Sequence, residues 1–229
     1  MSRRRWLWAC LALLAGCSAP PPDRPEWVIR SSLAFRSEDL SRERPALPPG
    51  SFRLRFPFIC GDLHGSPTTG DLLHPIVGAD GSFVLDLNRG HAALLASLEP
   101  TELSLPYLRI SPAEARLARL APLILETDGI EPLGRVAWFD PDSGESLMLL
   151  FLDRPAAITG STVVAGRRLR YAISVPTPGY VWVEKRGGAE EDVYTVVPRP
   201  KRLLLAVALP DRVVAPASPV GTSEPASAK

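Results

Sequence analysis

The chain lacks an apolar run long enough to span a bilayer. Its longest such stretch, Trp6 to Leu14, reaches only about 15 Å as a helix, half of a hydrocarbon core of about 30 Å. Net charge is also missing: 26 basic residues face 25 acidic ones, for a formal charge of +1. No global field therefore argues for nucleic acid or an anionic partner. Lysine is scarce; Lys185, Lys201 and Lys229 are three of the 26 basic residues, and arginine supplies the other 23. Cysteine occurs three times, at positions 10, 17 and 60. The chain contains no Gly-x-Ser-x-Gly elbow, Ser-x-x-Lys pair, phosphate-binding glycine loop or Cys-x-x-Cys, so the common hydrolase, nucleotide-binding and redox signatures are all absent.

What is present begins at the N-terminus. Arg3, Arg4 and Arg5 head the apolar run Trp6 to Leu14, and Leu14-Ala15-Gly16-Cys17 closes it with small residues before a cysteine. This segment resembles the signal peptide of bacterial lipoproteins. The resemblance implies cleavage after residue 16 and lipidation of Cys17, which would carry a thioether-linked diacylglycerol and an acylated amine. One chain holds a membrane marginally and two hold it stably, so three would make a lasting anchor without a transmembrane helix. Ser18 after the cysteine is similar to residues that permit transfer to the outer membrane. Ser2-Arg3-Arg4-Arg5-Trp6-Leu7 also resembles a weak twin-arginine export signal. With Cys10 removed and Cys17 lipidated, Cys60 would have no disulfide partner in the chain.

After the signal peptide (residues 1–16) comes a segment, 17–50, rich in proline. It reads as a tether that could hold a domain several nanometres from the membrane, at about 3.1 Å per residue. Trp27-Val28-Ile29 and Leu33-Ala34-Phe35 interrupt it as a candidate edge strand. Residues 51–209 read as a β-rich periplasmic domain, with sub-units 51–129 and 134–209, and residues 210–229 as a disordered tail. Period-two alternation predicts strands at Phe52 to Cys60, Gly81 to Leu87 and Arg167 to Val175, and apolar runs set between turn residues predict strands at Arg135 to Phe139 and Glu145 to Leu152. Further runs between turn residues predict strands at Tyr180 to Glu184, Val193 to Val197 and Arg202 to Leu209, the last of them central because Leu203 to Leu209 is apolar throughout. Asp140-Pro141-Asp142-Ser143-Gly144 predicts a hairpin turn. Ser111-Pro112-Ala113-Glu114 has the form of a capping box and predicts a helix from Pro112 to Ala121, whereas Ala92 to Leu98 fits strand or helix equally. The expected fold is mainly β: an antiparallel sandwich or barrel with one short helix, behind a cleaved signal peptide and a proline-rich tether.

Candidate chemistry is confined to one loop. Asp62, His64, Asp71 and His74 lie within thirteen residues and offer two carboxylates and two imidazoles to a divalent metal. Ile59-Cys60-Gly61-Asp62-Leu63-His64-Gly65 resembles the first metal motif of calcineurin-like metallophosphoesterases, which implies two-metal attack on a phosphoester. The resemblance spans seven residues, and the downstream elements of that family are matched only by the remote echo Asn88-Arg89-Gly90-His91. Tyr180 and Trp182 share one strand face as an aromatic platform or as core. Cys60 falls on the apolar face of its strand and reads as a small buried hydrophobe. These features predict a non-enzymatic lipoprotein that binds an envelope partner, with no resident cofactor and no nucleic acid. A metal-dependent hydrolase on the loop from Asp62 to His74 is the alternative.

Overall fold

The structure, a computed structural model, describes residues 24–38, 42–48, 50–64, 73–127 and 132–210. Residues 1–16, Cys17, Ser18, Asp71 and residues 211–229 lie outside the described residues. A single-turn 3-10 helix, Pro25–Trp27, leads into β1 (Val28–Ser37), β2 (Phe52–Arg55), β3 (Phe58–Cys60) and β4 (Ser82–Asp86). The α-helix α1 (Leu87–Ser97) follows. The remaining strands are β5 (Arg109–Ser111), β6 (Leu117–Leu120), β7 (Leu123–Glu126), β8 (Pro132–Asp140), β9 (Glu145–Leu152), β10 (Ala156–Val164), β11 (Arg167–Val175), β12 (Gly179–Gly187), β13 (Glu191–Val197) and β14 (Leu204–Leu209).

All fourteen join one sheet, ordered β4-β1-β14-β8-β9-β12-β13-β11-β10-β5, with β6 bridging β9 to β3 and β7 bridging β8 to β2. The fold is mainly β, as expected. Its pairing is mixed: β1 with β14 and β11 with β13 run parallel, and the other pairs are antiparallel.

Strand β9 explains how one sheet supports two cores. Leu147, Leu149 and Phe151 point into a cluster with Trp27, Phe56, Phe58, Trp138 and Trp182, while Leu150 and Leu152 point into another with Leu63, Ile158, Tyr171 and Val183. Both faces are buried, which is why residues 147–152 are apolar without alternation. Strand β12 divides in the same way, sending Trp182 to the first core and Val183 to the second. Strand β11 has one wet face: Leu169, Tyr171, Ile173 and Val175 are buried, and the residues between them are exposed.

The hairpin β8–β9 turns through Gly144 at φ +77°, as the proline turn predicts. Strand β14 is central, between β1 and β8. The run Phe52 to Cys60 forms two strands separated by Phe56 and Pro57, because proline has no N–H for the ladder. Phe52, Leu54, Phe56, Phe58 and Cys60 are all buried, as the alternation requires.

Three expectations need correction. The helix expected at Pro112 to Ala121 does not form: residues 117–120 are strand β6, paired with β3 and β9. Leu117 serves the second core, and Ala118 and Leu120 the first, so burial on two faces overrides a local capping signal. The α-helix stands instead at Leu87–Ser97, where the Asp86 side chain caps it by accepting from the Asn88 N–H at 3.1 Å. Strand β1 is no edge, since β4 and β14 flank it. Thus residues 28–37 of the segment read as a tether are part of the fold. The sub-units 51–129 and 134–209 are also interleaved, because β5 pairs with β10 and β6 with β9.

Candidate functional site

The loop after β3 positions the first group. Gly61, at φ +78°, turns the chain where a Cβ would meet the Pro100 carbonyl at 2.9 Å, so a side chain is excluded twice over. The backbone is pinned by Gly61 N–H to the Leu117 carbonyl and by Glu102 N–H to the Gly61 carbonyl. Asp62 Oδ1 accepts from the Leu63 N–H at 2.7 Å and the Ser104 N–H at 3.3 Å. Burial opposes its ionisation, but the hydrogen bonds from Ser104, His64 and Leu63 prevail and hold the carboxyl below its usual range. Leu63 plugs into the second core, which leaves His64 directed at the sheet face.

His64 Nε2 and the Tyr171 hydroxyl share a hydrogen bond of 2.6 Å. The Tyr171 ring stacks on Tyr194, with centroids 4.4 Å apart and planes 3° from parallel. Their register on β11 and β13 places them directly opposite one another. Arg119 of β6 completes the cluster. Its Nε is buried without a hydrogen-bond partner among the described residues, and its charge acts on His64, Tyr171 and Tyr194. Burial lowers the His64 pKa and the Arg119 charge lowers it further, against the Asp62 carboxylate, so the fold favours the neutral imidazole. Burial likewise pushes the Tyr171 hydroxyl above its ordinary value, leaving a neutral group that can donate or accept.

The structure thus brings Asp62 and His64 together. It places His74 in another groove, of about 640 Å³, lined also by Phe83, Val84, Asp86 and Arg89. Among the described residues no group of three or more His, Cys, Asp or Glu side chains could hold a metal ion. The hydrogen-bond partner of His64 is the Tyr171 hydroxyl, and the cluster sets a partly desolvated cation, Arg119, beside hydroxyls that can donate or accept.

Tyr180 and Trp182 serve the core face. Tyr180 stands edge-on to Trp27 at 5.0 Å and near Phe151 at 5.1 Å, and Trp182 stands edge-on to Trp138 at 5.5 Å. His91 of α1 joins them, 4.5 Å from Trp27. Three polar atoms here, His91 Nδ1, Trp138 Nε1 and the Tyr180 hydroxyl, are buried without a hydrogen-bond partner among the described residues. A cleft of about 190 Å³ opens beside Trp27, Tyr180 and Trp182. Cys60 is buried in the first core, as its strand face predicts.

Sequence reasoning did not single out Arg119, Tyr171 or Tyr194 as site residues. A charge inside the apolar run Leu117 to Ala121 was the legible sign of the first. The tyrosines carried no sign beyond their core alternation. No protein-family model matches the chain, and neither a curated protein nor a solved structure is similar to it at a level that carries an argument. Fold and site together define a mainly β domain in which a single sheet presents a polar cluster on one face and an aromatic cleft on the other.

Proposed function

We propose that the protein is a lipid-anchored lipoprotein of the bacterial envelope, at the outer membrane and facing the periplasm, whose β-rich domain binds a partner without catalysing a reaction. The observation that carries this reading is Leu14-Ala15-Gly16-Cys17 behind an arginine-headed apolar run. Ser18 supports transfer to the outer membrane. The binding role is supported by the cluster of His64, Arg119, Tyr171 and Tyr194, whose arginine has hydrogen-bonding capacity to spare. No described helix is long and apolar enough to cross a membrane, so attachment in this reading falls to the acyl chains.

The test is cell fractionation of the wild-type chain and a Cys17→Ala variant, with labelled palmitate in the medium. The wild type should incorporate label and sediment with outer membranes. The variant should take up none and be extracted from the membrane by salt or alkali. Equal labelling of both chains would defeat the reading.

A further inference from the structure

The start of β1 projects beyond the start of β14: their pairing begins at Ser32 with Leu204, and the chain from Arg199 to Leu203 runs beside the overhang. Between them lies an open groove of about 500 Å³ lined by Val28, Arg30, Arg199, Pro200, Lys201 and Leu203. Three of its six lining residues are cations, and none is a carboxylate. Arg199 is clamped by neutral partners: Nη1 donates to the Glu26 carbonyl at 2.8 Å and Nη2 to the Val28 carbonyl at 2.7 Å. Those bonds fix the guanidinium and leave its charge uncancelled. A fourth cation, Arg24, lies over the Trp27 ring at 4.7 Å on the turn that enters β1. In the sequence between Cys17 and β1 the acids are Asp23 and Glu26.

The position of this groove along the chain selects its occupant. Seven residue-to-residue steps lead from Cys17 to Arg24. Fully extended they reach about 25 Å at most, since a residue spans no more than about 3.6 Å. A spacer built from all of residues 17–50 would have been several times longer, but β1 takes up its middle. Resting on the lipid-anchor reading above, we infer that the groove of Arg30, Arg199 and Lys201 seats the phosphate headgroups of anionic phospholipids and docks this end of the sheet on the membrane that holds Cys17. Acyl chains would supply attachment, and the groove would supply orientation, turning the strands β9 to β13 away from the surface layer.

The test uses the full chain with Cys17→Ala, so that no acyl chain contributes, and vesicles of phosphatidylcholine with or without phosphatidylglycerol. The apolar signal segment is identical in every arm, so only differences between arms are read. Cosedimentation should rise with phosphatidylglycerol and fall as salt is raised. The double substitution Arg30→Gln with Lys201→Gln, which touches neither clamp bond, should lower partitioning about 25-fold, from about fivefold per cation. Adding Arg199→Gln should bring the loss to about a hundredfold. Equal binding to both vesicle types, or an unchanged double variant, would overturn the inference. So would competition by inorganic phosphate at constant ionic strength, which would assign the groove to a free anion. Lipidation of Cys17 in cells is measured separately, so loss of the anchor and loss of the groove are distinguishable results.

Discussion

Leu149 and Leu150 are neighbours in β9 that serve opposite cores, and both are almost wholly buried, at 1% and 0% exposure. Truncating either to alanine removes three carbons, worth about 2.4 kcal/mol at about 0.8 kcal/mol per buried methylene. A cavity term adds to this, because the flanking strands β6 and β12 cannot collapse onto the gap, so each variant should lose about 3 kcal/mol. For a domain of this size that is about 6–12 °C in melting temperature. Urea unfolding followed by tryptophan fluorescence measures it, with Val163→Ala as a control at 66% exposure, expected within about 0.5 kcal/mol of wild type. The decisive point is that both consecutive positions pay heavily. A strand with one wet face, such as β11, would show one large loss and one negligible loss. A loss below about 1 kcal/mol at either leucine would refute a β9 buried on both faces.

Gly134 on β8 has an ordinary φ, but a Cβ there would meet the Ala208 carbonyl at 2.2 Å, and neither backbone can yield while β8 pairs with β14. Gly134→Ala should therefore cost about 3 kcal/mol in thermal unfolding, more than Gly144→Ala, which meets no neighbour and strains only its positive φ, at about 1–2 kcal/mol. Because the His64 pKa is lowered in the fold, the unfolded chain takes up the proton first as pH falls. The contribution of His64 to stability should thus be full above pH 6.5 and decline below it, and its NMR titration midpoint should lie under 6.5 and rise in Arg119→Gln. The buried Cys60 thiol should resist a thiol reagent in the native protein and react once urea unfolds it.

Strands with a single buried face were legible because side-chain alternation and burial coincide, as in β11, where every inward residue of the pattern is buried. Strand β6 was not, because Leu117, Ala118 and Leu120 serve two cores and so lose the period of two. The same three residues satisfy helical spacing, and Ser111-Pro112-Ala113-Glu114 supplied a plausible start. The true helix was obscured by its length and by Gly90 and His91 within it; its cap, Asp86, reads equally well as the end of a strand. In the site, Asp62 and His64 were visible as chemistry-bearing residues on a loop. Their partners were not, since Arg119, Tyr171 and Tyr194 come from strands 55 to 130 residues away, and only the sheet's register unites them.

The central claim is that Cys17 begins the mature protein and carries lipid. Intact mass spectrometry of the protein purified from membranes measures this directly. The account predicts a chain starting at Cys17, heavier than its sequence by a diacylglycerol and one further acyl group. A chain of unmodified mass, or one that starts at any other residue, would contradict it.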